Sequence, residues 1–460
     1  MELTAISKQK KQSILYAMVW RWHFYAGLFV IPFLLMLSVT GTIMLYDKQL
    51  QSLRYSTLAD VSNNGEMLSA QQQLSSIKVN YPQGVVKKYM PGKTADDVSF
   101  FVVKNEDATI HVALDPYTGK VLEEINRDDS WYALANEIHG SLLLGEWGDH
   151  AIEAAIGLIV LLIISGLYLW YTTRQDGALV FFPRLNQGKR NFYKQLHSSL
   201  GLYCAVFLIF FVISGLSWSG VWGSKLVQAW NSFPAQKWSY VELSEHDHAS
   251  LNQGVMEEVP WNLEQTPLPL SKATEAHQHT KEVDLNSIAD LAKQLGMKNY
   301  QVNLPANKKA VYTLSADTMS GDISDPRLDR TVHIDQHTGE VLVDIGWSDY
   351  TLMAKFMAAG IGLHQGGLGW INLLVNTLLC ACYILICLSG LYLCWLRKPK
   401  NSWELAPKTI PSNQRWYTGI VAVIVVSILF PLSGALIAGI LIVDAFVFIL
   451  KPMFSKEQTA

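Results

Sequence analysis

The chain has 460 residues, of which 50% are hydrophobic and only 16% charged, the balance of a membrane protein with polar insertions rather than of a soluble enzyme. Its 36 basic and 39 acidic residues leave a formal charge of −3, so no basic field exists to recruit nucleic acid, and nucleic-acid binding is excluded. The five cysteines, Cys204, Cys380, Cys382, Cys387 and Cys394, all fall in apolar runs, which argues against a disulfide framework and against a zinc or iron–sulfur site.

A hydrocarbon core of about 30 Å takes roughly 20 apolar residues in a helix. Taken in chain order, residues 1–22 form a basic leader and 23–46 the first span, which lacks a small-residue cleavage pattern and reads as a retained signal anchor. Residues 47–150 are a polar insertion, 151–172 the second span, 173–196 a basic loop and 197–222 the third span. A second insertion covers 223–369, the fourth span 370–396, and another basic loop 397–415. The last apolar run, 416–450, is too long for one straight crossing and contains Pro431 and Gly434, so it is one span with an extension or a short hairpin. Lys and Arg concentrate in the leader and in the two short loops, which places those segments in the cytoplasm and the two acidic insertions on the far side.

Within each insertion a helical period precedes short alternating strands. In the first, Ser69 to Val79 reads as helix, then Val98 to Val103, Thr109 to Asp115 and Lys120 to Glu124 as strands. In the second, Leu285 to Leu295 is the helix, followed by Tyr300 to Leu304, Ala310 to Leu314, Thr331 to Asp335 and Glu340 to Asp344. An Asp-x-x-Thr-Gly sequence recurs at Asp115 and Asp335, and its chemistry is that of a hairpin turn: the Asp accepts backbone hydrogen bonds and the Gly takes a positive φ. His246, His248, His277 and His279 form two His-x-His pairs in a polar stretch, a spacing that can hold a transition metal. His111 and His333 fall on strands and read as structural.

The spans repeat as well. His23 lies 18 residues before Gly41, and His197 lies 18 before Gly215, both at the inner start of a span. The second and fourth spans end in Ser165-Gly166-Leu167-Tyr168 and Ser389-Gly390-Leu391-Tyr392, preceded by His139 and His364 at 26 and 25 residues. The chain therefore reads as a tandem repeat in which His23 faces His197 on the inner side and His139 faces His364 on the outer side. Two histidines on facing helices, with small residues leaving a flat gap, are how a membrane bundle holds b-type haem. His150 is the rival to His139. Arg21, Arg190 and Lys194 lie near the inner pair, where they could neutralise haem propionates or simply serve the inside-positive rule.

These motifs, from the His23-x3-Gly27 and His197-x3-Gly201 starts to the Asp-x-x-Thr-Gly turns, resemble the PepSY-associated transmembrane helix family. The resemblance implies an α-helical integral membrane protein: a four-helix core from a tandem repeat, one or two C-terminal helices, and two extracytoplasmic α+β PepSY-like domains. It implies a place in the bacterial inner membrane and a di-haem ferric reductase. Such an enzyme takes electrons from a quinol or a cytoplasmic flavin or NAD(P)H system and passes them to a ferric siderophore or similar chelate. The chain itself shows no glycine-rich nucleotide fingerprint. The alternative is a non-redox regulator whose outer modules bind a peptide, protease or transporter.

Overall fold

The computed structural model of the chain describes residues 2–62, 65–105, 108–175, 178–224, 240–252, 259–272, 283–397 and 417–442. Expectations attached to His277, His279, Trp416, the loop after Arg397 and the end of the last apolar run lie outside the described residues. Two compact units form: a helical unit of residues 1–42, 137–223 and 377–460, and a sheet unit of residues 43–136 and 224–376.

Four helices are long and apolar enough to cross a membrane: Leu15–Leu45 within the helix Glu2–Leu45, Glu146–Thr172, Lys189–Leu216 and Trp370–Arg397. Half of the apolar window of Glu146–Thr172 is buried inside the protein, against 22–28% for the other three. This second span is therefore the hub. Its Ile152, Ile156, Ile159 and Ile163 pack with Val30, Ala205, Val212 and Leu216. Exposed Val206, Ile213, Leu378 and Leu388 supply the apolar surface that lipid requires. The first three helices begin earlier than hydropathy predicts, because intrahelical hydrogen bonds carry a helix through polar residues as readily as through apolar ones. His197 consequently sits eight residues inside Lys189–Leu216 rather than at its start.

The last apolar run is broken in two, Tyr417–Leu429 and Pro431–Ile442. The break coincides with Pro431, which has no N–H to continue the ladder. Pro431–Ile442 docks on the second span: Ser433 Oγ donates to Ala154 O at 2.7 Å, and a Cβ on Gly157 would stand 2.0 Å from that same Oγ. Only glycine permits this approach.

In the sheet unit all eight main strands form one antiparallel sheet. The first insertion contributes Val85–Met90, Ser99–Lys104, Thr109–Leu114 and Val121–Ile125; the second contributes Gln301–Asn303, Val311–Ala316, Arg330–Asp335 and Val341–Gly346. Each set is a meander. The first strand of one set pairs with the first strand of the other, Lys88 opposite Asn303 and Tyr89 opposite Val302. Sequence periodicity missed Val85–Met90, whose Lys87-Lys88 pair interrupts the apolar alternation.

One face of the sheet is covered by the helices Ala70–Asn80 and Leu285–Gln294. Leu74, Ile77, Leu285 and Ile288 bury Phe101, Val112, Val302, Leu314 and Val332 in a single core. Ser69 caps the first helix through a capping box with Gln72, and Asp284 caps the second through Ser287 N. The opposite face is buried and polar over much of its width, with Lys88, Asn303, Thr313, Ser315, Thr331 and His333 all shielded.

The recurring turns are as expected. Asp115 accepts from Tyr117 N and Thr118 Oγ1 at 2.9 and 2.7 Å, while Asp335 accepts from His337 N and Thr338 N at 2.8 and 3.0 Å. Gly119 and Gly339 take φ of 71° and 75°, where a Cβ would be strained.

Candidate haem site and its histidines

His23 and His197 come together in the helical unit, their ring centroids 6.3 Å apart and their planes at 89°. Each ring is fixed through Nδ1. His197 Nδ1 lies 3.0 Å from Ile386 O and 3.2 Å from Ser389 Oγ. A carbonyl only accepts, so Nδ1 carries the proton. His23 Nδ1 lies 2.9 Å from Ser165 Oγ. That hydroxyl gives its own proton to Leu161 O at 2.6 Å, which leaves it to accept from the ring. Both histidines are thus held as the Nδ1–H tautomer, with the Nε2 lone pair available to a metal.

The residue after each serine is a glycine for a steric reason. A Cβ on Gly166 would lie 3.2 Å from His23 Cε1, and one on Gly390 3.3 Å from His197 Cε1. The pairs Ser165-Gly166 and Ser389-Gly390 are therefore seats: the hydroxyl orients the imidazole and the glycine makes room for it.

His139 has a seat of the same kind. On the helix Trp131–Ser141, its Nδ1 lies 2.8 Å from Thr40 Oγ1. Thr40 donates to Met36 O at 2.8 Å, so it too accepts from the ring. A Cβ on Gly41 would stand 3.6 Å from His139 Cε1. His150, the rival, is placed differently, with Nε2 3.5 Å from the position of a Cβ on Gly220 and next to Asp149, which accepts from Gly220 N.

His364 belongs to the sheet unit, at the last position of the helix Leu352–His364. Asn376 Nδ2 caps that helix end, donating to Leu363 O at 2.7 Å and to His364 O at 3.0 Å. A turn with Gly366 and Gly369 at φ of 73° and 99° then leads into Trp370–Arg397. His139 and His364 thus lie in different units.

Of the basic candidates, Arg21 lies with its guanidinium 5.7 Å from the Tyr25 ring, and Arg190 and Lys194 are exposed. The cation that hydropathy counting overlooked is Arg397. Its guanidinium stacks 4.0 Å above Trp20, one helical turn before His23, and its Nη1 is buried without a hydrogen-bond partner. Sequence gave no signal to separate it from the other loop charges.

The residues fit a b-type haem. Among the described residues no three His, Cys, Asp or Glu side chains gather to hold a metal, but an axially ligated haem needs only two. His23 and His197, their ring centroids 6.3 Å apart and their Nδ1 atoms engaged, would hold the group through Nε2. A Cβ on Gly201, one turn after His197, would meet nothing within 4 Å.

The other buried histidines of the sheet unit have a structural role. His248 Nδ1 donates to Thr266 O at 2.6 Å, which obliges its Nε2 to accept from His333 Nε2 at 2.9 Å; His333 Nδ1 meets Thr313 Oγ1 at 3.0 Å. Both rings are neutral. Burial lowers the pKa of His248 to about 4, and burial followed by the neighbouring His248 holds His333 well below the usual range. His246 is exposed, so the first His-x-His pair points two ways and does not converge on a metal.

A family profile described as PepSY-associated TM region matches residues 20–398. No curated protein matches the chain.

Proposed function

The chain belongs to the PepSY-associated TM region family, and from that premise we propose that it is a di-haem ferric reductase of the bacterial inner membrane. The observation that supports this reading is the pair His23 and His197: two imidazoles with ring centroids 6.3 Å apart, each engaged through Nδ1. When bound, b-type haem supplies a one-electron carrier within a medium that excludes ionic charge. His23 and His197 would hold one near the cytoplasmic face, and a second, with His139 as a ligand, would lie near the periplasmic face, since a core of about 30 Å is too wide for a single station.

The chain's own residues do the positioning. Ser165, Ile386 O and Ser389 keep the proton on Nδ1, which turns each Nε2 toward iron and raises its basicity. Arg397 offers an unsatisfied buried N–H to a propionate; Arg21, Arg190 and Lys194 add positive charge on the same helices. The donor is a quinol or a cytoplasmic flavin or NAD(P)H system, and the acceptor a ferric siderophore or similar chelate held at the sheet unit. Each ferric ion takes one electron, so one quinol reduces two ferric ions and releases two protons. Ferrous iron binds hard oxygen chelators far less well, and is released.

Haem content of the purified full chain after haem supplementation tests the reading. Two b-type haems per chain are expected, and one in His23→Ala or His197→Ala. A preparation with no b-type spectrum overturns it. The non-redox alternative rests on the edge strand Val121–Ile125, where an extended peptide could add to the sheet; it requires activity to survive replacement of all four histidines by Ala.

A further inference from the structure

The loop between Val311–Ala316 and Arg330–Asp335 begins at Asp317 and ends at Asp329, and both side chains turn inward, 1% and 3% exposed. Asp317 Oδ1 accepts from Ser320 N at 2.7 Å and Asp329 Oδ1 from Thr318 N at 3.2 Å. Asp317 Oδ2 is buried with no hydrogen-bond partner. The two carboxyls border one cavity and feel each other's charge.

Asn262, on the short helix Trp261–Glu264, reaches the same cavity. It is 2% exposed, its amide lies beside the buried Tyr350 hydroxyl, and its Oδ1 has no hydrogen-bond partner. Orphan buried polar atoms of this kind cost free energy unless something occupies the space they line. The cavity is small, about 10 Å³, with room for one small occupant. Lys88 also bears on Asp317, as does Asp322, whose own charge is offset by Lys93. Asp317 Oδ2 and Asn262 Oδ1 are unpartnered oxygens on residues that line the cavity.

We propose that this cavity binds one hard divalent cation of the Ca²⁺ type, with Asp317 Oδ2, Asp329 and Asn262 Oδ1 as its side-chain ligands. Carboxylate and amide oxygens select such an ion, and the soft thioethers of Met319 and Met357 that also line the cavity are poor ligands for it. The wall opposite is Met357, Ala358 and Ile361 of the helix Leu352–His364, and Thr318 Oγ1 donates to Ala358 O at 3.4 Å. Occupancy therefore braces the helix that ends in His364. The site uses none of the four histidines and stands independently of the redox reading.

The test uses the full-length protein in detergent, stripped with EGTA and titrated with ⁴⁵Ca²⁺ by equilibrium dialysis near neutral pH. One ion per chain is expected, with affinity reduced at least tenfold in Asp317→Asn and in Asn262→Ala, and with a melting temperature of the wild type that rises with Ca²⁺. Asn262→Ala removes a ligand and no charge, so it decides the matter if Asp317→Asn fails to fold. No bound ion at millimolar Ca²⁺, or equal binding by wild type and Asn262→Ala, overturns the proposal.

Discussion

Ser165 stands to His23 as a hydrogen-bond acceptor and never as a donor, because its proton is already committed to Leu161 O. The hydroxyl therefore dictates which ring nitrogen is bare. Ser165→Ala removes that acceptor, and the imidazole becomes free to take the other tautomer, with its Nε2 blocked by hydrogen. We expect haem retention at this pair to weaken by about 10- to 100-fold, with a shifted Soret band and a normally folded sheet unit. Haem titration against Ser165→Thr, which keeps the acceptor, is the check: equal affinity in the Ala and Thr variants would contradict the assigned role.

The glycines that follow the hydroxyls should respond in order of their clearance. A methyl at position 166 or 390 would press on an imidazole at 3.2 or 3.3 Å, whereas one at position 41 would meet His139 at an ordinary 3.6 Å. Gly166→Ala and Gly390→Ala are expected to displace the ring by a few tenths of an ångström and broaden the haem spectrum. Gly41→Ala should be mild by comparison. Gly157→Ala acts elsewhere: with 2.0 Å to Ser433 Oγ it should lift Pro431–Ile442 off the second span, read as increased protease sensitivity of the C-terminal run.

The His248–His333 pair makes the sheet unit acid-sensitive. Both rings are neutral when folded and have pKa values below the unfolded value of 6.5, His248 at about 4. The unfolded chain then binds protons that the folded chain refuses. Stability is fully present above about pH 6.5 and is lost progressively as pH falls toward 4, by an amount on the order of a few kcal/mol. Thermal melts of the full chain between pH 4 and 8 should show this slope. His248→Gln should flatten it, even though it costs stability at neutral pH.

The two Asp-x-x-Thr-Gly turns invite a paired comparison. Asp335 accepts three backbone N–H groups, including Lys272 N at 2.7 Å. Replacement by Ala leaves those donors unmet, at about 1–3 kcal/mol. Asp115→Ala should cost a similar amount, since it also anchors Ser62 N at 3.3 Å. Neither should alter haem binding in the helical unit, and a loss of haem in both variants would show that the turns do more than hold hairpins.

How much of this could be read from sequence depended on the range of the interaction. The apolar runs, the turn residues and seven of the eight main strands follow from local patterns of period 2, period 3.6 and Gly placement. The matched spacing of His23 and His197 was legible because a repeat preserves register. The function of Ser165, Thr40 and Ser389 was not: in a sequence a serine before a glycine signals only close helix packing, and the direction of its hydrogen bond depends on a carbonyl one turn away. Arg397 was hidden for a similar reason, since a basic residue at the end of a span is what topology alone demands. His248 looked like one member of a metal-binding loop because its true partner, His333, lies 85 positions away.

The seam between Val85–Met90 and Gln301–Asn303 ties together segments that the chain separates by two of its long apolar helices. Gln71 and Asn286 strengthen the tie: Gln71 N donates to Asn286 Oδ1 at 2.9 Å and Leu285 N donates to Gln71 Oε1 at 3.1 Å, so each helix start is completed by the other. Neither insertion owns a finished hydrophobic interior, and neither can mature before its counterpart has been synthesised. During biogenesis the earlier half must wait with a bare strand edge, which makes completion of the later half the event that commits the sheet unit to its final form.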